Sequence, residues 1–501
     1  MREKFNSLKQ KYSEVADISS ATSLLQWDQQ VYMPRGGAAA RARATSALEE
    51  LAHRKFTAPE TGKLIAELYD WAQGLGHDSL EASYLRAIKR DYDKSAKLPP
   101  EFVAEFSRTV SEAIEAWTKA RTESNFGVFS PYLSKILELN IRKAEIFGFE
   151  KSPYDALLDI YEPGVKKEHI EPLFKKLADG LKPIMKSISA NADMVSNDCL
   201  HGVFDEDEQL KLTGEIIKDL GYDLERGRQD RSAHPFTIDF SINDVRITTR
   251  TQKDYLPAAV YGSIHECGHA LYAQGVDQEF EGTPLSGGAS LGLHESQSRF
   301  WENIVGRSLG FSKWVLPKYR SHFPGKFEHL SPEDLYKAVN KSAPSLIRVE
   351  ADEVTYNLHI MLRFEIETML LEGKLKVADA PELWNAKMQE YFGLKPQKAC
   401  DGILQDIHWS LGSMGYFPTY TLGNLVSAQL AGQLSKALGG LGSLIEKGDF
   451  PTILGWLRSN IHVHGRKYLP DELLKKAIND ELRVEPFLDY IKDKYSKLYG
   501  F

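Results

Sequence analysis

The sequence predicts a mainly α-helical protein, and three observations carry that prediction. Apolar residues recur at helical spacing along most of the 501 residues. Only one short stretch alternates as strands do. No Pro-, Gly- or Ser-rich linker, internal repeat or low-complexity tract divides the chain. Residues 1–501 are therefore expected to form a single domain with helical lobes.

Phe102, Phe106, Val110 and Ile114 share a helical face, as do Leu133, Ile136, Leu137 and Ile141. Pro99-Pro100 ends one helix and leads into the next. Asp207 to Leu220 begins in acids and stops at Gly221. Phe236–Phe240 and Asp244–Arg250 alternate and carry β-branched residues. They flank Ser241-Ile242-Asn243, which predicts a small β-hairpin. The helix from about Pro257 to Gln274 opens on a proline whose missing N–H costs nothing there. Further helices are predicted over Arg348 to Glu372 and Pro486 to Leu498, with a loop or helix end at Leu438–Gly442.

Composition narrows the function classes. Hydrophobic residues make up 42% and charged residues 26%, the balance of a globular protein rather than a disordered one. The 62 basic and 70 acidic residues are spread along the chain and leave a net charge of −8, with no footprint for nucleic acid. Three widely spaced cysteines, Cys199, Cys267 and Cys400, suit neither a disulfide framework nor a cysteine-rich zinc module. The start is charged and amphipathic, without the apolar core of a signal peptide. Even Leu346–Leu371 is broken by Arg348, Glu350, Asp352 and Glu353, so no membrane span is expected. A soluble, cytoplasmic protein is the reading.

His265-Glu266-Cys267-Gly268-His269 carries the chemistry. Histidines at i and i+4 of a helix lie about 40° apart around its axis and face one way. Together they can hold one zinc ion, while the intervening glutamate can take a proton from water at the metal. Burying two histidines and a glutamate without partners is costly, which argues against a purely structural cluster. Zinc wants a third ligand. The extended motif with a third histidine fails, because Tyr272 and Gly275 stand at its glycine and histidine positions. Glu295, in His294-Glu295-Ser296-Gln297 after a glycine-rich stretch, follows His269 by 26 positions and is the candidate third ligand. Cys267 points away from the histidine face and reads as packing.

Together with further motifs, this sequence resembles the carboxypeptidase Taq family of metallocarboxypeptidases. They are His234-Pro235-Phe236, Asp244-Val245-Arg246-Ile247-Thr248, His294-Glu295-Ser296-Gln297, Ile347-Arg348-Val349-Glu350-Ala351-Asp352 and Gly402-Ile403-Leu404-Gln405-Asp406-Ile407-His408-Trp409. Leu24-Leu25-Gln26-Trp27-Asp28, Met33-Pro34-Arg35-Gly36 and Tyr416-Phe417-Pro418-Thr419-Tyr420 extend the likeness over nearly the whole chain.

The resemblance implies a large helical metallopeptidase similar to neurolysin and angiotensin-converting enzyme. It would have a deep substrate groove and a small β-sheet near the metal. It implies release of single C-terminal residues from peptides with broad specificity, zinc or sometimes cobalt as cofactor, and a homodimer. By matching positions, His265, His269 and Glu295 are the metal ligands and Glu266 the general base. A free terminal carboxylate suits a guanidinium fork, and the motif match favours Arg348 for it over a surface ion pair. Arg246 ranks second, as an organiser of the sheet or a substrate contact. His408, Tyr416 and Tyr420, with His234 behind them, are candidates to stabilise the oxyanion or bind substrate, His408 and Tyr420 being favoured. Gln405 and Asp406 are expected to hold His408 or its loop. A zinc endopeptidase of the same helical type and a non-catalytic scaffold with a structural metal are the competing readings.

Overall fold

The computed structural model describes residues 1–501 and contains twenty α-helices and one three-stranded sheet. In chain order the first helices are α1 (Arg2–Val31), α2 (Ala38–Phe56), α3 (Pro59–Ala72), α4 (Leu80–Lys97), α5 (Pro100–Glu123), α6 (Phe126–Phe147), α7 (Pro153–Tyr161), α8 (Lys167–Ala190) and α9 (Glu206–Asp219). The strands β1 (Gln229–Arg231), β2 (Thr237–Ser241) and β3 (Asp244–Thr249) follow. Next come α10 (Leu256–Gly275), α11 (Leu291–Arg299), α12 (Leu309–His322), α13 (Pro332–Val339), α14 (Tyr356–Leu371) and α15 (Ala380–Phe392). The chain continues with α16 (Pro418–Leu438), α17 (Leu441–Glu446), α18 (Phe450–Asn460), α19 (Pro470–Ile478) and α20 (Glu485–Tyr499). No helix is long and apolar enough to cross a membrane.

The chain forms two compact units, each assembled from three segments. The first comprises residues 1–96, 196–339 and 426–482. Its sheet has the order β1-β3-β2, with β1 parallel and β2 antiparallel to β3. Ile238 pairs with Arg246, and the ladder slips between Asp239 and Ser241. The expected hairpin is present. β1 is an addition that three mostly polar residues do not announce. α10 is buried nearly all round, which explains its apolar composition. Leu8, Ile65, Leu68, Leu85 and Ile88 form one apolar core of this unit. Tyr272, Leu293, Leu430, Ile461 and Leu473 form another, behind α10 and α11.

The second unit comprises residues 97–195, 340–425 and 483–501. α14, almost wholly buried, packs against α6, α7, α8 and α15. The helix predicted from Arg348 begins instead at Tyr356. Arg348–Glu350 make a single 3-10 turn and Ala351 is extended. The cause is Asp352. Its carboxylate accepts from the backbone N–H of Val354 and Thr355, from Thr355 Oγ1 and from Ser342 Oγ, tying down the turn that precedes the helix where a pattern of side chains suggests continuity.

Candidate metal centre and active-site residues

In the first unit, one nitrogen each of His265 and His269 and one oxygen of Glu295 lie within 4.8 Å of one another. Glu295 Oε2 is 3.7 Å from His265 Nε2 and 3.3 Å from His269 Nε2. Two donors each about 2 Å from a shared tetrahedral ion sit roughly 3.3 Å apart, so the separations of Glu295 from the two histidines suit donors to one divalent cation. The far ring nitrogens are occupied. His265 Nδ1 is 2.9 Å from Glu302 Oε2, and His269 Nδ1 is 2.6 Å from His294 Nδ1. Both Nε2 atoms are thereby turned toward Glu295.

The helix carrying Glu295 starts after Ser290, whose side chain accepts from the Leu293 N–H. It runs on into a π-turn over Phe300–Val305, which carries Glu302. Arg299 Nε donates to Glu295 Oε1 at 2.6 Å, and Arg299 and Arg307 both approach Glu302. Burial pushes these carboxyls up. The arginine and histidine charges outweigh it, holding Glu295 well below the usual carboxylate range and Glu302 at about 2. Burial, with the neighbouring His269, lowers His294 to about 3 and keeps it neutral.

Glu266 is buried beside the histidines. Thr237 Oγ1 on β2 lies 2.7 Å from its Oε2 and 2.9 Å from its carbonyl oxygen, so the sheet holds the candidate base. Two glycines mark where α10 is approached most closely. A Cβ at Gly268 would lie 2.6 Å from the Gln297 carbonyl oxygen and Ser298 Cα, so α10 and α11 meet backbone to backbone. A Cβ at Gly275 would lie 2.7 Å from His462, whose ring fills the place the extended motif gives to a third ligand. Cys267 is fully buried, and burial raises its thiol pKa, as packing requires. Arg246 forms a two-point ion pair with Asp244 and stacks over Trp27 and Phe240. His234 is exposed in the loop between β1 and β2.

The second unit gathers Arg348, His408, Tyr416 and Tyr420. Arg348 is 6% exposed. Its Nε and Nη2 donate to Asp406 Oδ1 at 2.9 and 2.7 Å, its Nη1 donates to Tyr356 Oη at 2.9 Å, and Tyr420 lies under the guanidinium. Arg363 Nε donates to the other oxygen of Asp406 at 2.6 Å. Asp406 thus grips two arginines rather than His408, and against its burial they hold it below the carboxylate range. Gln405 accepts from the Arg348 N–H and donates to the Leu346 carbonyl, fastening the arginine's own segment. His408 Nε2 is 3.1 Å from Tyr420 Oη, and Tyr416 packs on both rings. Burial, with the Arg348 charge, lowers His408 to about 3.

The chain matches the family described as Carboxypeptidase Taq (M32) metallopeptidase over residues 7–495. The chain belongs to the carboxypeptidase Taq family. It is 41% identical over 488 residues to thermostable carboxypeptidase 1 of Pyrococcus furiosus, covering 97% of each chain. With thermostable carboxypeptidase 1 of Thermus thermophilus it shares 40% over 498 residues, 97% of each. The M32 carboxypeptidase of Deinococcus radiodurans superposes with a TM-score of 0.96 at 40% identity, over all of both chains. As a member of the carboxypeptidase Taq family, the protein is a mainly helical metallocarboxypeptidase, a peptide hydrolase.

The functional partners that motif reading misses are Glu302, Thr237, Arg363 and Tyr356. Glu302, Thr237 and Arg363 lie 37, 29 and 43 positions from the residues they bond, and Tyr356, only eight from Arg348, carries no motif signal of its own.

Proposed function

We propose that this enzyme removes single residues from the C-termini of peptides with broad side-chain tolerance, using zinc, with cobalt as an alternative. The observation that carries the reading is the convergence of His265, His269 and Glu295 beside Glu266, in a chain of the carboxypeptidase Taq family. A metal held by those three residues would supply Lewis-acid polarisation of the scissile carbonyl and lower the pKa of water. Glu266 takes a proton from the attacking water and delivers it to the leaving amine. Thr237 fixes Oε2 of Glu266, leaving Oε1 for the transfer. Arg348 binds the free terminal carboxylate through the Nη protons that Asp406 and Tyr356 do not take. His408, kept neutral, and Tyr420 donate to the substrate oxygen as it gains charge. Tyr416 lines the substrate beside them. His234 and Arg246 are secondary substrate contacts, Arg246 chiefly organising the hairpin. The family resemblance supports a cytoplasmic homodimer of single-domain chains.

The test is a peptide digest read by mass spectrometry, with and without chelator and with zinc or cobalt restored. Stepwise loss of one residue from free C-termini, abolished by chelator, is expected. Internal fragments would replace the reading with an endopeptidase. Glu266→Gln should retain metal and lose turnover by at least about 100-fold. Arg348→Ala should weaken substrates with a free carboxylate far more than C-terminally amidated ones.

A further inference from the structure

Glu367 is a carboxylate that the proposed reaction does not use. It lies on α14 with no exposure to solvent, and three donors from two segments converge on it. Trp409 Nε1 donates to Oε1 at 2.8 Å. The Gly415 N–H and Tyr154 Oη, the latter on α7, each donate to Oε2 at 3.1 Å. Trp409 and Gly415 bracket the loop 409–415, with His408 immediately before it and Tyr416 immediately after. One helical turn away, Arg363 grips Asp406 on the other side of His408.

We propose that Glu367 is a positioning residue for peptide hydrolysis, its carboxylate clipping both ends of the loop 409–415 to α14 and so fixing His408 and Tyr416. The inference rests on the roles given above to His408 and Tyr416.

The ionised form suits this task, because the indole and backbone N–H groups can only donate. A proton on Oε1 would face the Trp409 N–H. A proton on Oε2 could pass only to the Tyr154 hydroxyl, and the Gly415 N–H would lose its anion. Every neutral arrangement weakens one of the two loop bonds. Burial pushes Glu367 up to about 7, against the pull of its donors and of Arg363. The titratable groups facing it are Tyr154 and Tyr161 on α7 and Arg363 on its own helix. Burial keeps both tyrosines protonated through neutrality, so Glu367 is the group that changes charge there.

The test uses the full-length, metal-loaded enzyme. Glu367→Gln, nearly isosteric, places an amide N–H against a donor and should lower kcat about tenfold near pH 8. KM should stay within about twofold and metal content should not change. Tyr154→Phe removes the one donor outside the loop and should leave kcat within about twofold while lowering thermal stability. The indole 15N–H resonance of Trp409, assigned by its loss in Trp409→Phe, should titrate with a midpoint near 7 in the wild type. It should stay flat in Glu367→Gln. Wild-type kcat in Glu367→Gln overturns the proposal, as does a kcat loss in Tyr154→Phe equal to that in Glu367→Gln. If Glu367→Gln fails to fold, Trp409→Phe, which removes one of the two loop bonds, decides: wild-type kcat in that variant overturns the clip. A titrating indole in a wild-type protein without peptidase activity sinks the functional reading while supporting the clip.

Discussion

At the scale of single residues, the candidate centre depends as much on what is missing as on what binds. Gly268 lets α11 lie against α10, and Glu295 travels with α11. Gly268→Ala should cost about 1–3 kcal/mol of stability through overpacking. It should also loosen metal retention, and urea unfolding and metal analysis after dialysis would read both. Unchanged values in both assays would mean that the helices can part without consequence. Glu302 acts through His265 Nδ1. Glu302→Gln should weaken metal affinity by about 10–100-fold, measured by chelator competition. His265, Glu266 and His269 are legible in the sequence because i,i+4 spacing is local. Glu295 is legible from its buried setting and motif. Glu302 is not, because its use depends on the π-turn and on how two helices pack.

At the scale of elements, sequence periodicity predicts the helices well, and α9, α10 and α20 differ from their predicted limits by a residue or two. It fails at α14, where Asp352 ties down the preceding turn, and at β1, whose pairing with β3 leaves no alternation in three residues. Asp406 is the instructive case. Its place in the motif is readable, but its partner Arg363 lies 43 positions away on a buried helix. Asp406→Asn would leave two buried guanidinium groups short of an anion and should destabilise the fold by about 3–5 kcal/mol. The folded-state pKa of Asp406 lies below its unfolded value, so its contribution is full above about pH 4 and is lost as the solution becomes more acidic. Denaturant midpoints of wild type and Asp406→Asn should therefore converge on acidification. A constant gap would mean the pair does not carry the difference.

At the scale of the whole molecule, a metal that binds only the folded state stabilises it by mass action, about 2.7 kcal/mol at a free concentration 100 times its Kd. Chelation should lower the melting temperature, and restored zinc or cobalt should return it. Hydrogen exchange should quicken first in α10 and α11. A melting temperature indifferent to chelator would count against the His–His–Glu set as a resident metal site. The interleaving of the two units has a consequence for biosynthesis. Leu430, Ile461, Leu473 and Leu474, which back Tyr272 and Leu293 behind the metal-binding helices, emerge from the ribosome long after His265 and Glu295. Until they arrive, α10 and α11 lack the apolar wall that sets their packing. The candidate metal centre therefore lacks its packed backing until nearly the whole chain has been made, and a chain cut short before Leu430 has none of these four leucine and isoleucine side chains to supply it.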